Sequence, residues 1–177
     1  MKSFLIKNLI VIFAFTVFVF CISCSSDESK KEFPTAVGYR FVDISKSGMN
    51  LYVAAPDSTV GVVDTLFDSS SKVYLNVGRA FKIIIEESSL TITQKKEEIS
   101  NSTSDIEVLK KYYVSTDSTL LWETTIGDLS KFHFYYLFKS GDRQFSFSSP
   151  ADEIFSQDQV AAMLKASSMS IQKENYN

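Results

Sequence analysis

Aromatic residues alternate along the segment KFHFYYLFK, residues 131–139. One face of a strand would carry Phe132, Phe134, Tyr136 and Phe138, and the other His133, Tyr135 and Leu137. A period of two over this length predicts a β-strand, and apolar residues on both faces predict a central strand covered on both sides. The turn residues SGD at 140–142 then precede a second alternation at Phe145 and Phe147, so a hairpin is expected over about 131–148.

Short runs rich in β-branched and aromatic residues predict further strands. They cover residues 38–44, 49–54, 61–67, 72–77, 79–87 and 119–125. Turn-forming residues lie at most of their boundaries, such as Ser47 and Gly48 between the first two and Gly127 after the last. Because these connections are short, neighbouring strands are expected to pair mostly antiparallel.

The pattern near the C-terminus predicts an amphipathic helix at about 157–168. Ser156 and Gln159 have the spacing of a capping box, and Phe155 with Val160 has that of a hydrophobic staple. Val160, Met163, Leu164 and Ser167 recur at helical spacing. One stripe of this helix is therefore apolar or small and is expected to face the core.

A second helix is predicted within STSDIEVLKKYYV, residues 102–114. Ser104 and Glu107 have the spacing of another capping box, and Lys110 would suit the negative end of the helix dipole. Ile106, Leu109 and Tyr113 would share one face. A start near Gln94 is the alternative for this helix.

The predicted order of elements gives an α+β domain, a mainly antiparallel sheet packed by two helices. The segments ITQKKEEI, DIEVLKKYYV, KFHFYYLFK, GDRQFSFSS and SQDQVAAMLKASSMSI follow one another through the C-terminal half. In this order, with an amphipathic helix after a long hairpin, they resemble the PsbP-like fold. The resemblance implies an α/β/α sandwich that acts in its relatives as a binding or assembly module, and no functional residue is transferred from it.

The first 23 residues have the composition of an export signal. Lys2 and Lys7 precede an apolar run from Leu9 to Ile22 that only Thr16 interrupts. At about 1.5 Å per residue this run reaches roughly 21 Å, which is too short for a hydrocarbon core of about 30 Å. We therefore predict a signal peptide over 1–23 rather than a transmembrane helix.

Two cysteines have the spacing C-x-x-C at the end of this signal: Cys21 lies within it and Cys24 directly after it. A redox dithiol, half of a zinc site and a disulfide are the usual interpretations of such a pair. Ser23 before Cys24 and the polar SSDES after it resemble instead the lipobox of bacterial lipoproteins, with Cys21 where leucine is commonest. The resemblance implies that Cys24 is the lipid attachment residue and that Cys21 leaves with the signal. An ordinary cleaved signal that leaves a free cysteine is the alternative.

The lipoprotein resemblance also implies a location. Two or three acyl chains, such as palmitate, hold a protein stably on a membrane. Ser25 follows the cysteine instead of the aspartate that commonly retains lipoproteins at the inner membrane of enteric bacteria, so the outer membrane is favoured. SSDES further resembles the surface-export signal of Bacteroidetes-type bacteria, and a periplasmic orientation is the equal alternative.

Charge and composition limit what the mature chain binds. Residues 24–36 are expected to be the lipidated cysteine and a flexible tether, and 37–177 a single domain. Loss of residues 1–23 removes Lys2 and Lys7, which leaves 16 basic against 21 acidic side chains and a formal net charge of −5. An acidic chain without a long basic run is unlike a nucleic-acid-binding protein, so no nucleic-acid partner is expected.

His133 is the single histidine and is predicted to be structural. A catalytic or metal-binding histidine needs a nearby serine, further histidines or carboxylates at ligand spacing. The motifs G-x-S-x-G, H-E-x-x-H and the glycine-rich phosphate loops do not occur in the sequence. We therefore expect no catalytic, cofactor-binding or metal-binding residues, and no cofactor.

The neighbouring carboxylates have structural explanations. Glu86 and Glu87 should point to opposite faces of a strand, and the KKEE segment at 95–98 reads as a solvated surface. Asp152 and Glu153 precede a helix, where negative charge is stabilising. A glycosidase pair from distant parts of the chain stays open.

Aromatic and hydroxyl residues offer two further candidates. Tyr112, Tyr113 and Trp122 could line a sugar or partner surface, although a core position is the favoured interpretation. The motifs at 57–59, 64–66 and 117–119 resemble the D-S/T-x sites of O-glycosylation in Bacteroidetes-type bacteria, and turns are the favoured interpretation.

The sequence thus predicts a lipid-anchored cell-envelope protein whose domain is a non-catalytic binding or scaffolding module. Its expected partners are the membrane, through Cys24, and an envelope protein or a small ligand. A lipoprotein that captures a ligand or glycan is the alternative, and a hydrolase is a weaker one.

Overall fold

Ten strands and two helices follow one another through residues 35–57, 63–67, 71–102 and 106–173, which are the residues that the computed structural model describes. In chain order they are β1 (Tyr39–Asp43), β2 (Leu51–Pro56), β3 (Val63–Phe67), β4 (Val73–Val77), β5 (Phe81–Glu87), α1 (Ile92–Ser102), β6 (Glu107–Ser115), β7 (Thr119–Ile126), β8 (Leu129–Ser140), β9 (Arg143–Ser148), α2 (Gln157–Ser168) and β10 (Ile171–Gln172). Within these ranges no helix is long and apolar enough to cross a membrane. The predicted signal peptide and Cys24 lie outside the described residues.

Seven of the strands form one sheet in the order β3-β4-β5-β9-β8-β7-β6, and every neighbouring pair in it is antiparallel. A smaller sheet has the order β1-β2-β10 and is also antiparallel. Helix α1 connects β5 to β6 at the far edge of the large sheet, and a meander then returns through β7 and β8 to β9 beside β5. The α+β class predicted from the sequence is therefore confirmed.

Strand β8 lies inside the large sheet and is covered on both faces, as its alternation predicts. Phe134 is fully buried in a core that also contains Val160 and Met163 of α2. Tyr135, the next residue, is buried in a second core with Ile92 and Ile99 of α1. The two helices thus cover opposite faces of the seven-stranded sheet.

Helix α2 begins and ends where the sequence predicts. The Ser156 side chain accepts a hydrogen bond from the backbone N–H of Gln159, and the Gln159 side chain accepts one from the backbone N–H of Ser156. This capping box satisfies two donors that the first turn leaves free. Helix α2 and the β1-β2-β10 sheet share the larger core, which includes the fully buried Leu51 and Val53 of β2.

The second helix predicted from the sequence is wrong in position. Residues from Glu107 to Ser115 form β6, which pairs with β7, and the helix is α1, upstream of them. Thr91 and Gln94 form the capping box at its start, through Thr91 Oγ1 and Gln94 Oε1. The predicted box at Ser104 lies outside the described residues.

The reason for this error is an irregularity of β6. Its pairing with β7 shifts twice, once between Leu109 and Lys111 and again between Tyr112 and Val114. Each extra residue breaks the period of two, so Leu109 and Tyr112, three positions apart, both pack against the core beneath α1. A spacing of three also occurs on one face of a helix. Tyr113, which the sequence placed on the same helical face as Leu109, instead donates a hydrogen bond to Glu123.

One arginine joins the two sheets. Arg143, at the start of β9, donates from Nε and Nη2 to the carboxylate of Glu87 at 3.1 and 2.9 Å, and from Nη1 to the carbonyl oxygen of Gly48 at 2.9 Å. Gly48 ends the turn before β2 with a positive φ of 82°, a conformation that glycine adopts without strain. This planar, bidentate geometry is specific to arginine.

The predicted turns at the D-S/T-x motifs are only partly present. Asp117 and Ser118 lie in the turn between β6 and β7, whereas Asp64 and Thr65 lie within β3 and pair with Asn76 and Leu75 of β4. The turn expected at 64–66 is therefore wrong, because pairing with β4 extends the strand through it. Ser58 and Thr59 lie outside the described residues.

Candidate functional site

A cleft of about 520 Å³, lined by polar, charged and apolar residues, lies between α1 and the seven-stranded sheet. Trp122 and Thr124 of β7, His133 of β8 and Ser148 of β9 line it from the sheet, and Glu98 lines it from the helix. Its volume is in the range of sites that take small ligands. His133, the single histidine of the chain, lies in this cleft.

Three side chains in this cleft form a directed chain of hydrogen bonds. Thr124 Oγ1 lies 2.6 Å from Glu107 Oε1, and His133 Nε2 lies 3.1 Å from Thr124 Oγ1. An ionised carboxylate only accepts, so the one hydroxyl proton of Thr124 goes to Glu107. The hydroxyl oxygen must then accept from His133, which places the imidazole proton on Nε2.

The other ring nitrogen of His133 is left as an acceptor. A neutral imidazole with its proton on Nε2 has a lone pair on Nδ1. Nδ1 makes no hydrogen bond to any of the residues that the structure describes. We call the path from Glu107 through Thr124 to His133 the Glu-Thr-His relay.

Burial keeps His133 neutral. The side chain is 6 % exposed, and this burial, together with the positive charge of Lys131, lowers the pKa of His133 to about 4 although the Glu107 carboxylate opposes the shift. Burial alone would raise the pKa of Glu107, but hydrogen bonds from Thr124 and Lys131 outweigh it and leave that pKa below its ordinary value. At neutral pH the relay therefore holds a neutral imidazole and an ionised carboxylate.

Lys131 compensates the charge of the relay. Its side chain is 6 % exposed, and Nζ lies 3.3 Å from Glu107 Oε1. Nζ also donates to the carbonyl oxygen of Ala151 at 2.9 Å. A buried ammonium is costly unless it is paired and hydrogen-bonded, and both conditions are met here.

The two rings at the bottom of the cleft stack on each other. The centroids of Trp122 and His133 are 5.2 Å apart and their planes differ by 23°, because the two residues are direct partners in the pairing of β7 with β8. Both are the single residue of their type in the chain. Fluorescence of Trp122 and the resonances of His133 therefore report on this site alone.

Two ion pairs lie on opposite walls of the cleft. Lys72 Nζ is 2.9 Å from Glu86 Oε2 on the sheet side, and Lys95 Nζ is 2.9 Å from Glu98 Oε2 on α1. All four of these side chains are at least a quarter exposed. Each wall thus presents a hydrogen-bond donor next to an acceptor, with no net charge.

The carboxylates singled out in the sequence are placed as follows. Glu86 faces the cleft, whereas Glu87 pairs with Arg143, which also contacts the small sheet, so their predicted opposite orientation is confirmed. Glu97 is exposed on α1. Glu153 forms an ion pair with Lys82.

A second polar cluster, around Glu123, was not predicted from the sequence. Its carboxylate is 2 % exposed and accepts hydrogen bonds from Lys110, Ser130 and Tyr113, each at 2.7 Å. These bonds, that of Lys110 first, lower the pKa of Glu123 to about 2. Every partner comes from an adjacent strand and the carboxylate itself is buried, so we interpret the cluster as structural.

Sequence reasoning also missed the partners of His133, since Thr124 and Glu107 lie on other strands. The hairpin turn at Gly127 could have indicated part of the site, because a short turn there pairs Trp122 with His133. Two of the aromatic residues considered for a sugar or partner surface differ in burial. Trp122 is 8 % exposed and belongs to the core, whereas Tyr113 is 38 % exposed.

In the described part of the chain, no group of three or more histidine, cysteine, aspartate or glutamate residues is arranged to hold a metal ion. No protein family model matches the chain, and no curated protein or solved structure matches it either. Function must therefore be inferred from the geometry of the cleft.

Proposed function

We propose that this chain is a lipid-anchored cell-envelope protein whose domain binds a small polar ligand in the cleft between α1 and the seven-stranded sheet, without catalysing a reaction. The observation that carries the proposal is the lining of the cleft. Donors and acceptors converge there on a space of about 520 Å³, and the Nδ1 atom of His133 makes no hydrogen bond within the described residues. Convergent polar groups in a concave site are typical of ligand recognition.

The environment of the cleft carboxylates favours binding over hydrolysis. A general acid needs surroundings that stabilise its protonated form, such as burial away from cations. Glu86, Glu98 and Glu107 each have a lysine ammonium at hydrogen-bond or ion-pair distance instead. The relay also differs from a catalytic triad, since Thr124 and Glu107 both approach Nε2 of His133 and no acid contacts Nδ1 among the described residues.

Ligand capture is tested with the mature chain in lipid nanodiscs and a panel of saccharides, amino acids and nucleosides. We expect at least one class to change Trp122 fluorescence and to show saturation-transfer NMR signals. Ser148→Phe, which fills the cleft, should abolish both effects. Ser168→Phe, on the exposed end of α2, is the matched control and should retain them. Equal binding by both variants, or no binding by the wild type, would contradict ligand capture.

The proposed anchor is the lipidated Cys24, on the outer membrane, with the domain facing either the periplasm or the cell surface. Support comes from the short apolar signal, the small Ser23 before the cysteine and the polar SSDES after it. The domain itself would make no electrostatic contribution to membrane binding, because the mature chain has a net charge of −5.

Replacing the acceptor cysteine tests the anchor. Cys24→Ala is expected to leave an unprocessed or mislocalised precursor without incorporated palmitate, because the bulky Phe20 before Cys21 makes that cysteine a poor acceptor. Cys21→Ala is the control and should be processed and lipidated like the wild type. The measurement is metabolic labelling with an alkyne analogue of palmitate and membrane fractionation. Equal labelling of both variants would disprove the assignment of Cys24.

Scaffolding of an envelope protein is the second candidate function. Ile106, Val108 and Tyr113 are 71 %, 53 % and 38 % exposed on or beside β6, an edge strand of the large sheet. Exposed apolar residues on a strand edge are suited to a protein partner. Crosslinking in intact membranes separates the two functions, because only scaffolding requires a stable protein partner.

We also propose that the domain is related to the PsbP-like fold. The support is architectural: α1 and α2 cover opposite faces of an antiparallel sheet, as in an α/β/α sandwich. A binding or assembly role would accord with such a relationship.

A further inference from the structure

We infer that the cleft takes a neutral, polyhydroxylated ligand, a saccharide unit, and that Nδ1 of His133 accepts a hydrogen bond from one of its hydroxyl groups. This inference rests on the proposed ligand capture and names the ligand class. It makes His133, which the sequence presents as structural, the residue that selects the ligand.

The direction of the Glu-Thr-His relay is the first argument. The Thr124 hydroxyl donates to Glu107 at 2.6 Å and therefore must accept from His133 Nε2 at 3.1 Å. The relay fixes one tautomer, so Nδ1 can only accept. A ligand atom opposite Nδ1 must donate, which a hydroxyl group does and a phosphate or carboxylate oxygen does not.

The balance of charge is the second argument. Lys72 and Glu86 pair on one wall, Lys95 and Glu98 on the other. Lys131 compensates Glu107 at the base. With His133 neutral these charges cancel, so neither an anion nor a cation gains net attraction in the cleft. Sugar hydroxyl groups both donate and accept, and they match walls on which an ammonium adjoins a carboxylate.

Two half-isosteres of histidine test the role of Nδ1. In His133→Asn the amide oxygen takes the place of Nδ1 as an acceptor, whereas in His133→Gln the amide nitrogen takes the place of Nε2 and nothing replaces Nδ1. With glucose, galactose and N-acetylglucosamine and their disaccharides as probes, we expect His133→Gln to weaken the best affinity by about tenfold or more, the value of one lost hydrogen bond. His133→Asn should stay within about threefold of the wild type.

NMR of the single histidine tests the relay itself. The ¹⁵N shifts at neutral pH should show a protonated Nε2 and an unprotonated Nδ1, and the Nδ1 signal should move when a saccharide binds. Thr124→Val should remove the preference for this tautomer, and Thr125→Val, the next residue of β7, should preserve it. A proton on Nδ1 in the wild type would overturn the inference.

The probes also separate this inference from ligand capture. Inorganic phosphate, glycine and spermidine serve as charged alternatives. If only charged probes bind and Ser148→Phe abolishes their binding, the saccharide class is wrong while ligand capture stands. If saccharides bind equally to the wild type and His133→Gln, Nδ1 has no selecting role and the inference fails. If no probe binds, both proposals fail.

Discussion

Truncation of Phe134 to alanine is expected to lower the free energy of unfolding by about 3–5 kcal/mol. The side chain is fully buried, and it faces the core that α2, the β1-β2-β10 sheet and the large sheet share. Alanine would leave a cavity where three layers meet, and those layers can relax only in part. Urea denaturation of the mature chain, followed by circular dichroism and Trp122 fluorescence, measures the effect.

Phe138→Ala is the matched control, since Phe138 lies on the same face of β8 four residues further on. It is only partly buried against the same core, so its truncation removes less contact area and should cost clearly less than Phe134→Ala. An equal loss for the two variants would mean that the shared core does not centre on Phe134.

The alternation in β8 explains why so much of the sheet could be predicted from the sequence. A strand covered on both faces carries a nearly continuous run of apolar residues, and in β8 the aromatic residues Phe132, Phe134, Tyr136 and Phe138 add a period of two to it. The capping box at Ser156 is equally local, because both of its partners lie within one turn. Signals that arise between near neighbours in the chain are readable without the tertiary structure.

The failure at β6 shows the limit of such signals. Extra residues around Lys110 and Tyr113 interrupt the register with β7, and both side chains bind Glu123. The side chains at the two irregularities therefore share one partner, a carboxylate of the neighbouring strand. Local spacing then indicated a helix, and only the pairing with β7 decides the structure.

The cleft could not be predicted from the sequence for the same reason. Glu107, Thr124 and His133 come from three adjacent strands, and no motif joins them in the sequence. Their partner Lys131 is buried, and its ammonium is paired with Glu107 and hydrogen-bonded to the carbonyl oxygen of Ala151. These contacts also come from separate parts of the chain, so no local pattern could indicate them.

Acidification is expected to weaken the fold through His133. The folded-state pKa is about 4, against an ordinary value of 6.5, because burial and the charge of Lys131 disfavour the imidazolium form. Between these two values the unfolded chain binds more protons than the folded chain. The free energy of unfolding therefore falls as the pH drops from about 6.5 to about 4, and the contribution of His133 is fully present above that window. The loss is about 3 kcal/mol, at 1.36 kcal/mol per pKa unit.

Comparison with His133→Gln isolates this contribution from that of the carboxylates, which titrate in both proteins. Urea denaturation at a series of pH values between 7.5 and 4 should show the wild type losing about 3 kcal/mol more than the variant. The proton resonances of the single histidine should titrate with a midpoint near 4. Lys131→Met should raise that midpoint, because it removes the cation and leaves Glu107 to favour the imidazolium. If the free energy of unfolding fell equally with pH in the wild type and in His133→Gln, the imidazole would have the same pKa in the folded and unfolded chain. The conclusion that burial keeps His133 neutral would then be wrong.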